Sequence, residues 1–163
     1  MSLTPLLAAP LAVQIHAVAA IAAVLLGGLV LFRRKGTPMH RLLGRIWVAL
    51  MLVVATSALF INEIRLIGPF SPIHLFTILT YGGVGYGLWQ IRHGKVRAHK
   101  AAMQAVYFMA LGLAGAFTLL PGRRMSAMLF GESAGWAPSL LAIGAVLAAV
   151  AWFYRRTALA VRS

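Results

Sequence analysis

The sequence predicts an all-α integral membrane protein, a bundle of five transmembrane helices with a four-helix core, in one transmembrane domain over residues 1–163. Two observations predict this class. Hydrophobic residues make up 61% of the chain and charged residues only 10%, whereas a soluble domain is about a quarter charged. The apolar residues also concentrate in five stretches that approach the ~20 residues needed to cross a bilayer. The lipid bilayer is therefore the first expected partner.

Basic or polar segments set the limits of the five stretches. The predicted helices cover about residues 11–32, 42–62, 73–91, 101–120 and 137–154. The first helix ends at Arg33, Arg34 and Lys35, and the fifth ends at Arg155 and Arg156. Because the connections are short, we expect consecutive helices to be antiparallel neighbours.

The charge distribution predicts how the chain crosses the membrane. The 15 Lys and Arg residues stand against two acids, Glu63 and Glu132, and most of the basic residues fall on one side of the five-helix map. The positive-inside rule then predicts an outside N-terminus and a cytoplasmic C-terminus in a multi-pass protein. The basic residues punctuate apolar runs, so we expect no nucleic-acid partner. The absence of Cys excludes disulfides, Fe–S clusters and thiolate metal sites.

Four histidines lie near the ends of the four predicted core helices. His16 and His74 fall at outer ends, and His40 and His99 fall at cytoplasmic ends. Diagonal neighbours in a four-helix bundle would pair His16 with His74 and His40 with His99. Two facing imidazoles are the axial ligands of a six-coordinate b-type haem, so the pattern predicts two haem b groups with these histidines as iron ligands. The alternative is that the histidines form hydrogen bonds at the lipid headgroup level.

Small residues near these histidines allow two interpretations. Ala19, Ala23 and Gly27 follow His16 on roughly one helical face, and Gly82 and Gly85 follow His74. Such faces can make room for a flat porphyrin. They are equally typical of close helix packing in lipid, for which the Gly83 and Gly87 spacing is characteristic.

Tyr107 and Arg123 are further candidate cofactor contacts. Tyr107 lies two turns beyond His99, as Trp47 lies beyond His40, and both can line a haem or quinone pocket or belong to an interfacial aromatic belt. Arg123 follows a Pro-Gly pair just outside the fourth predicted helix. Its guanidinium can bind haem propionates or a quinone carbonyl, or a lipid phosphate.

Several segments resemble an uncharacterised family of bacterial predicted membrane proteins. The resemblance spans roughly residues 12–131 and rests on residues 35–45 (KGTPMHRLLGR), 71–75 (SPIHL), 99–103 (HKAAM) and 117–123 (FTLLPGR). It implies an architecture and a location in the bacterial inner membrane, and no particular activity. More distantly, the chain is similar to two-haem transmembrane cytochromes of the b-561 type, which implies a bis-histidine haem on each side of the membrane. One helix of those cytochromes often supplies ligands to both haems, whereas here each helix supplies one.

The predicted function is membrane electron transfer. The protein would pass electrons between quinone or a small reductant and an acceptor across the membrane, which leaves open a quinone-linked oxidoreductase activity. The alternative is a non-catalytic subunit or assembly factor of a larger respiratory or photosynthetic complex. A partner redox complex and a homodimer are both compatible with the helix faces. A transporter is disfavoured because intramembrane charge is scarce and no inverted repeat is evident.

Overall fold

Every element of the described chain is a helix. The computed structural model describes residues 4–61, 72–131 and 135–162. In chain order the elements are α1 (Thr4–Leu7), α2 (Leu11–Phe32), α3 (Pro38–Ala58), α4 (Pro72–Arg92), α5 (Val96–Ala105), a π-helix (Val106–Leu113), α6 (Ala114–Thr118), α7 (Arg124–Phe130) and α8 (Trp136–Arg162). The predicted all-α class is confirmed for the residues that are described.

The helix boundaries depend on capping as well as on hydropathy. α2 covers the predicted range, but α3 begins at Pro38 rather than near residue 42. The reason is an N-cap, because Thr37 Oγ1 accepts a hydrogen bond from the backbone N–H of His40 at 3.1 Å, and proline at the first helical position has no N–H to satisfy. α5 likewise begins at Val96 instead of near residue 101, and α8 runs past residue 154.

The fourth predicted helix is interrupted by π-helical backbone. α5, the π-helix and α6 follow one another without a break over Val96–Thr118. A π-helix has i→i+5 hydrogen bonds, so it shifts the faces on which later side chains lie relative to a regular α-helix. Same-face relations predicted from a regular α-helix therefore do not extend beyond this segment.

Three helical segments of the described chain are long and apolar enough to cross a membrane. They are Leu11–Phe32, Pro38–Ala58 and Val96–Thr118. Large apolar side chains on them are exposed in the isolated chain, for example Leu25 at 70% and Leu42 at 51%. Exposed apolar surface of this extent is expected where lipid, not water, covers the protein.

The chain divides into two compact units. One is Ala9–Leu111, which holds all five histidines and is called the histidine unit below. The other combines Met1–Ala8 with Gly112–Ser163. In this second unit α1 packs against α7, and α6 contacts both α7 and α8. The prediction of a single transmembrane domain stays a prediction.

The core of the histidine unit forms where α2 packs on α3, α3 on α4 and α4 on α5. Its buried residues are Ala23, Trp47, Met51, Val84, Val106, Ala110 and Leu111. A Cβ at Gly83 would overlap Val106, and one at Gly87 would overlap Met103. The Gly83 and Gly87 spacing therefore serves helix packing, which was one of its two interpretations.

Candidate functional site

The histidines occupy opposite ends of the histidine unit. His16 in α2 bonds to Val54 near the end of α3, whereas His40 lies in the first turn of α3. His99 near the start of α5 bonds to Gly87 near the end of α4, whereas His74 lies in the first turn of α4. His40 and His99 therefore lie at the same end of the unit. That they act as a ligand pair stays a prediction.

The end that holds His40 and His99 also carries nine basic residues and is called the basic end below. They are Arg33, Arg34, Lys35, Arg41, Arg45, Arg92, Lys95, Arg97 and Lys100. Both acids of the sequence, Glu63 and Glu132, fall outside the described residues. The described part of the chain therefore offers these cations no carboxylate partner.

The His99 ring is oriented by a backbone carbonyl. Its Nδ1 donates to the carbonyl oxygen of Gly87 at 2.8 Å. Since Nδ1 carries the proton of the neutral ring, Nε2 keeps its lone pair. Gly87 makes this bond possible, because the absent side chain allows α5 to approach α4 closely at Ala102 and Met103. This hydrogen bond to a backbone carbonyl is the arrangement that orients metal-binding histidines in proteins.

His40 has a different environment. It is half-buried, and its Nδ1 is buried without a hydrogen-bond partner among the described residues. A buried polar atom left unsatisfied costs about 1–3 kcal/mol. Such atoms in native proteins usually bind something outside the chain, such as water, an ion or a ligand.

Gln90 is the second unsatisfied residue and was not predicted from the sequence. It is 5% exposed, and its Oε1 has no hydrogen-bond partner within the described chain. The contacts of Gly83 with Val106 and of Gly87 with Ala102 set an antiparallel register for α4 and α5. In that register Gln90 lies level with His99. Gln90 lies three residues after Gly87, on the α4 face that meets α5. This spacing is the sequence signal that could have identified Gln90 as a buried residue.

Lys35 and Lys100 bring uncompensated positive charge to the same end. Lys35 Nζ donates to the carbonyl oxygens of Leu31 and Arg33, which fixes the ammonium at the C-terminus of α2. Partial burial, and secondly the charge of Lys100, lower the pKa of Lys35 from its ordinary value of 10.5. Arg41 bonds instead to the carbonyl oxygen of Gly36, at 3.2 Å from Nη2. The connection between α2 and α3 is thus held by its own basic side chains.

His16 is satisfied within the chain. Its Nδ1 lies 3.0 Å from the carbonyl oxygen of Val54 and 3.1 Å from Ser57 Oγ. Ser57 Oγ donates its own proton to Val53 at 2.7 Å, so it accepts from His16. His16 therefore donates through Nδ1 and keeps a lone pair on Nε2. His74 is half-buried at the start of α4.

Trp47 and Tyr107 fill the groove on α2 that the small residues leave. Trp47 Nε1 donates to the carbonyl oxygen of Ala23, and Tyr107 Oη donates to that of Val24, both at 3.0 Å. A Cβ at Gly27 would overlap both rings. The space beside Ala23 and Gly27 is therefore occupied by protein side chains. Tyr107 contacts α2 whereas His99 contacts α4, so the two residues do not share one helix neighbour.

Arg123 belongs to the second unit, where its guanidinium carbon lies 4.6 Å from the centre of the Phe117 ring. His93 is exposed, and its ring centre lies 4.5 Å from that of Trp89. Gly82 and Gly85 are exposed, and no atom of the described residues lies within 4 Å of an added Cβ at either position. Among the described residues, that face of α4 is uncovered.

The donor set at the basic end suits one class of metal group. No three His, Asp or Glu side chains gather to hold a metal ion within residues 4–61, 72–131 and 135–162. Structural zinc requires four such ligands. Haem iron takes four ligands from the porphyrin and needs only two from the protein, so a pair of imidazoles is sufficient.

These features define a helical membrane protein with two histidines, His40 and His99, at its basic end. The model of the family described as "Predicted membrane protein (DUF2306)" matches residues 13–154, and the chain belongs to this family. The membership predicted from the sequence motifs is confirmed. No curated protein and no solved structure matches the chain.

Proposed function

We propose that this protein transfers electrons within the membrane and binds haem b at its basic end, with His40 and His99 as axial ligands. One observation carries the proposal: the buried, unsatisfied Nδ1 of His40 lies at the same end as a His99 ring fixed with its Nε2 lone pair available. Haem b, when bound, supplies a reversible one-electron couple.

The chain's own residues perform two tasks at this site. The Gly87 carbonyl orients the His99 ring. The Thr37 cap and Pro38 fix the first turn of α3 and with it His40.

A second haem at the opposite end would complete a path across the membrane. His16 has the same hydrogen-bond arrangement as His99, with Nδ1 on a backbone carbonyl, and His74 is its proposed partner. Val54, which His16 contacts, lies fourteen residues beyond His40 on α3, a rise of about 21 Å. Two haems at these levels would lie on opposite sides of the bilayer, where quinone or a small reductant can exchange electrons with one of them.

The proposed topology has five spans with the basic end in the cytoplasm of a bacterium. α4 has 21 residues and α8 has 27, so both reach the length of about 20 residues that a span requires and can join the three apolar segments. The basic residues around the histidine pair support the cytoplasmic assignment.

A visible spectrum tests the haem proposal directly. Protein purified from haem-replete cells should show the sharp reduced bands of a b-type cytochrome. His40→Ala and His99→Ala should each remove the sharp reduced bands of the basic-end haem, because those bands require two axial ligands. His93→Ala is the matched control, since His93 lies at the same end but outside the pair. A colourless wild-type preparation would overturn the proposal.

The open face of α4 supports a second candidate function, that of a subunit in a larger complex. Gly82 and Gly85 leave a flat exposed surface on an apolar helix, and small residues of this kind mediate helix association in lipid. Gly82→Leu should then abolish co-purification with a partner or with a second copy while leaving the monomer folded. An unchanged mass in mild detergent after the substitution would refute this role.

A further inference from the structure

An aromatic and cationic cluster lies at the C-terminus of α4, and the proposed haem site does not use it. Trp89 and His93 are one turn apart, and their ring centres are 4.5 Å from each other. The Lys95 ammonium lies 5.6 Å from the centre of the Trp89 ring, within the range of a cation–π interaction. All three side chains are exposed, and together they are called the Trp89 cluster below.

Backbone hydrogen bonds set the position of both partners of Trp89. α4 ends in a Schellman motif, in which Gly94 has a φ of 73° and the N–H of Lys95 donates to the carbonyl oxygen of Gln90 at 2.9 Å. The positive φ turns the chain back over the last turn of α4, which brings Lys95 to Trp89. His93 Nδ1 donates to the carbonyl oxygen of Trp89 at 2.8 Å, so its ring is oriented as well. The cluster is therefore built by the end of the helix.

The cluster has hydrogen-bond donors to offer to a ligand. Within the described chain, neither the indole N–H of Trp89 nor the ammonium of Lys95 has a hydrogen-bond acceptor. Both acids of the sequence, Glu63 and Glu132, lie outside the described residues, so the described part also supplies no carboxylate for Lys95. An anionic oxygen ligand suits these donors, because charge-assisted hydrogen bonds are among the stronger ones in proteins.

The exposed rings indicate which anion fits. Tyr86 lies about one turn before Trp89, with its ring centre 6.4 Å away, and the two side chains are 52% and 49% exposed. A soluble anion would leave this aromatic surface uncovered, whereas a phospholipid carries apolar carbon next to its phosphate. Aromatic residues beside basic residues at a helix end are typical of the level at which lipid headgroups begin, and basic residues at that level attract anionic lipids.

We propose that the Trp89 cluster binds one anionic phospholipid. The Lys95 ammonium and the Trp89 indole N–H donate to the lipid phosphate, and His93 supports the Trp89 ring. The exposed surfaces of Tyr86 and Trp89 pack against the apolar part of the lipid. This site requires no haem, so its test is independent of the proposed function.

Native mass spectrometry tests the proposal with two lipids that share their acyl chains. The protein in a neutral detergent is given equal amounts of phosphatidylglycerol, which is anionic, and phosphatidylcholine, which has no net charge. The wild-type protein should retain the anionic lipid with a preference of at least about tenfold. In Lys95→Gln the preference should fall to about threefold or less, because the charged donor is lost.

Two further variants separate the cluster from the general positive charge of the basic end. Trp89→Leu keeps every charge but removes the ring that Lys95 and His93 contact, and it should lower the preference as much as Lys95→Gln does. Arg34→Gln is the matched control, because it removes one exposed charge at the basic end from the connection between α2 and α3, and it should keep the wild-type preference. Melting temperatures in phosphatidylcholine show whether each variant is folded.

Three results would overturn the proposal. Equal retention of both lipids by the wild-type protein would show that no selective site exists. Equal losses of preference in Lys95→Gln and Arg34→Gln would show attraction by net charge alone, and this comparison also decides the matter if Trp89→Leu does not fold. If inorganic phosphate releases phosphatidylglycerol more effectively than sodium chloride of the same ionic strength, the site takes free phosphate instead of lipid.

Discussion

The two ends of the histidine unit satisfy their polar groups in different ways. At the His16 end, His16 bonds to Val54 and Ser57, and Thr56 Oγ1 lies 2.7 Å from Tyr81 Oη. At the basic end, His40 Nδ1 and Gln90 Oε1 have no partner within the described chain. The fold satisfies the polar groups at the His16 end by itself. It leaves two polar atoms unsatisfied at the basic end, and for this reason the functional proposal is placed there.

The largest expected effect concerns the contact that holds His99. Gly87→Leu should destabilise the protein by about 3 kcal/mol, because the new side chain must displace Met103 and Ala102 and separate α5 from α4. Gly85→Leu is the control, since no atom of the described residues lies within 4 Å of an added Cβ there. Thermal unfolding in detergent, followed by tryptophan fluorescence, measures both. Equal melting temperatures for the two variants would show that α4 and α5 are not in close contact.

Two substitutions that should change the stability of the protein in opposite directions compare the two ends of the histidine unit. Ser57→Ala should lower the free energy of unfolding by about 1 kcal/mol, because Ser57 satisfies His16. Gln90→Leu should raise the free energy of unfolding of the apo-protein by a similar amount. The reason is that it removes a buried acceptor with no partner among the described residues. Denaturant titration of the apo-protein measures both changes. Destabilisation by Gln90→Leu would show that the chain already satisfies this amide.

The smallest effect is a pH dependence at the basic end. The pKa of Lys35 is lowered in the folded protein by burial and by Lys100, so between that value and 10.5 the unfolded chain binds more protons. The stability of the apo-protein should therefore rise as the pH increases through this window. In Lys35→Gln this increase should be smaller. Melting temperatures recorded from pH 8 to about 10.5 measure the difference, and parallel curves for the two proteins would exclude a contribution from Lys35.

The sequence predicts the helices best where hydropathy changes sharply. α2 ends at Phe32 as expected, because three basic residues follow it. The first residues of α3 and α5 lie in polar segments, so hydropathy predicts both helices to begin too late in the sequence. The N-cap at Thr37 sets where α3 begins. The π-helix has no sequence signal in Val106–Leu113, because its hydrogen bonds depend on packing rather than on residue type.

The sequence predicts some residues of the candidate site and misses others. Helix direction alone places His40 and His99 at one end, and the histidine positions suffice to find the pair. Gln90 is a single amide in an apolar helix and becomes informative only when the α4–α5 register shows it buried. Tyr107 was predicted as a cofactor contact or as part of an aromatic belt, and this stays a prediction. The structure adds that its hydroxyl donates to the carbonyl oxygen of Val24 on α2.

Composition and charge by themselves determined that this chain is a helical membrane protein and which ends of its helices are basic, because both properties follow from the transfer of apolar and charged groups between water and lipid. Only the tertiary structure decided which polar atoms the protein satisfies on its own. Hydrogen bonding depends on the register and separation of neighbouring helices, and small residues such as Gly87 set that separation through contacts with residues distant in the sequence.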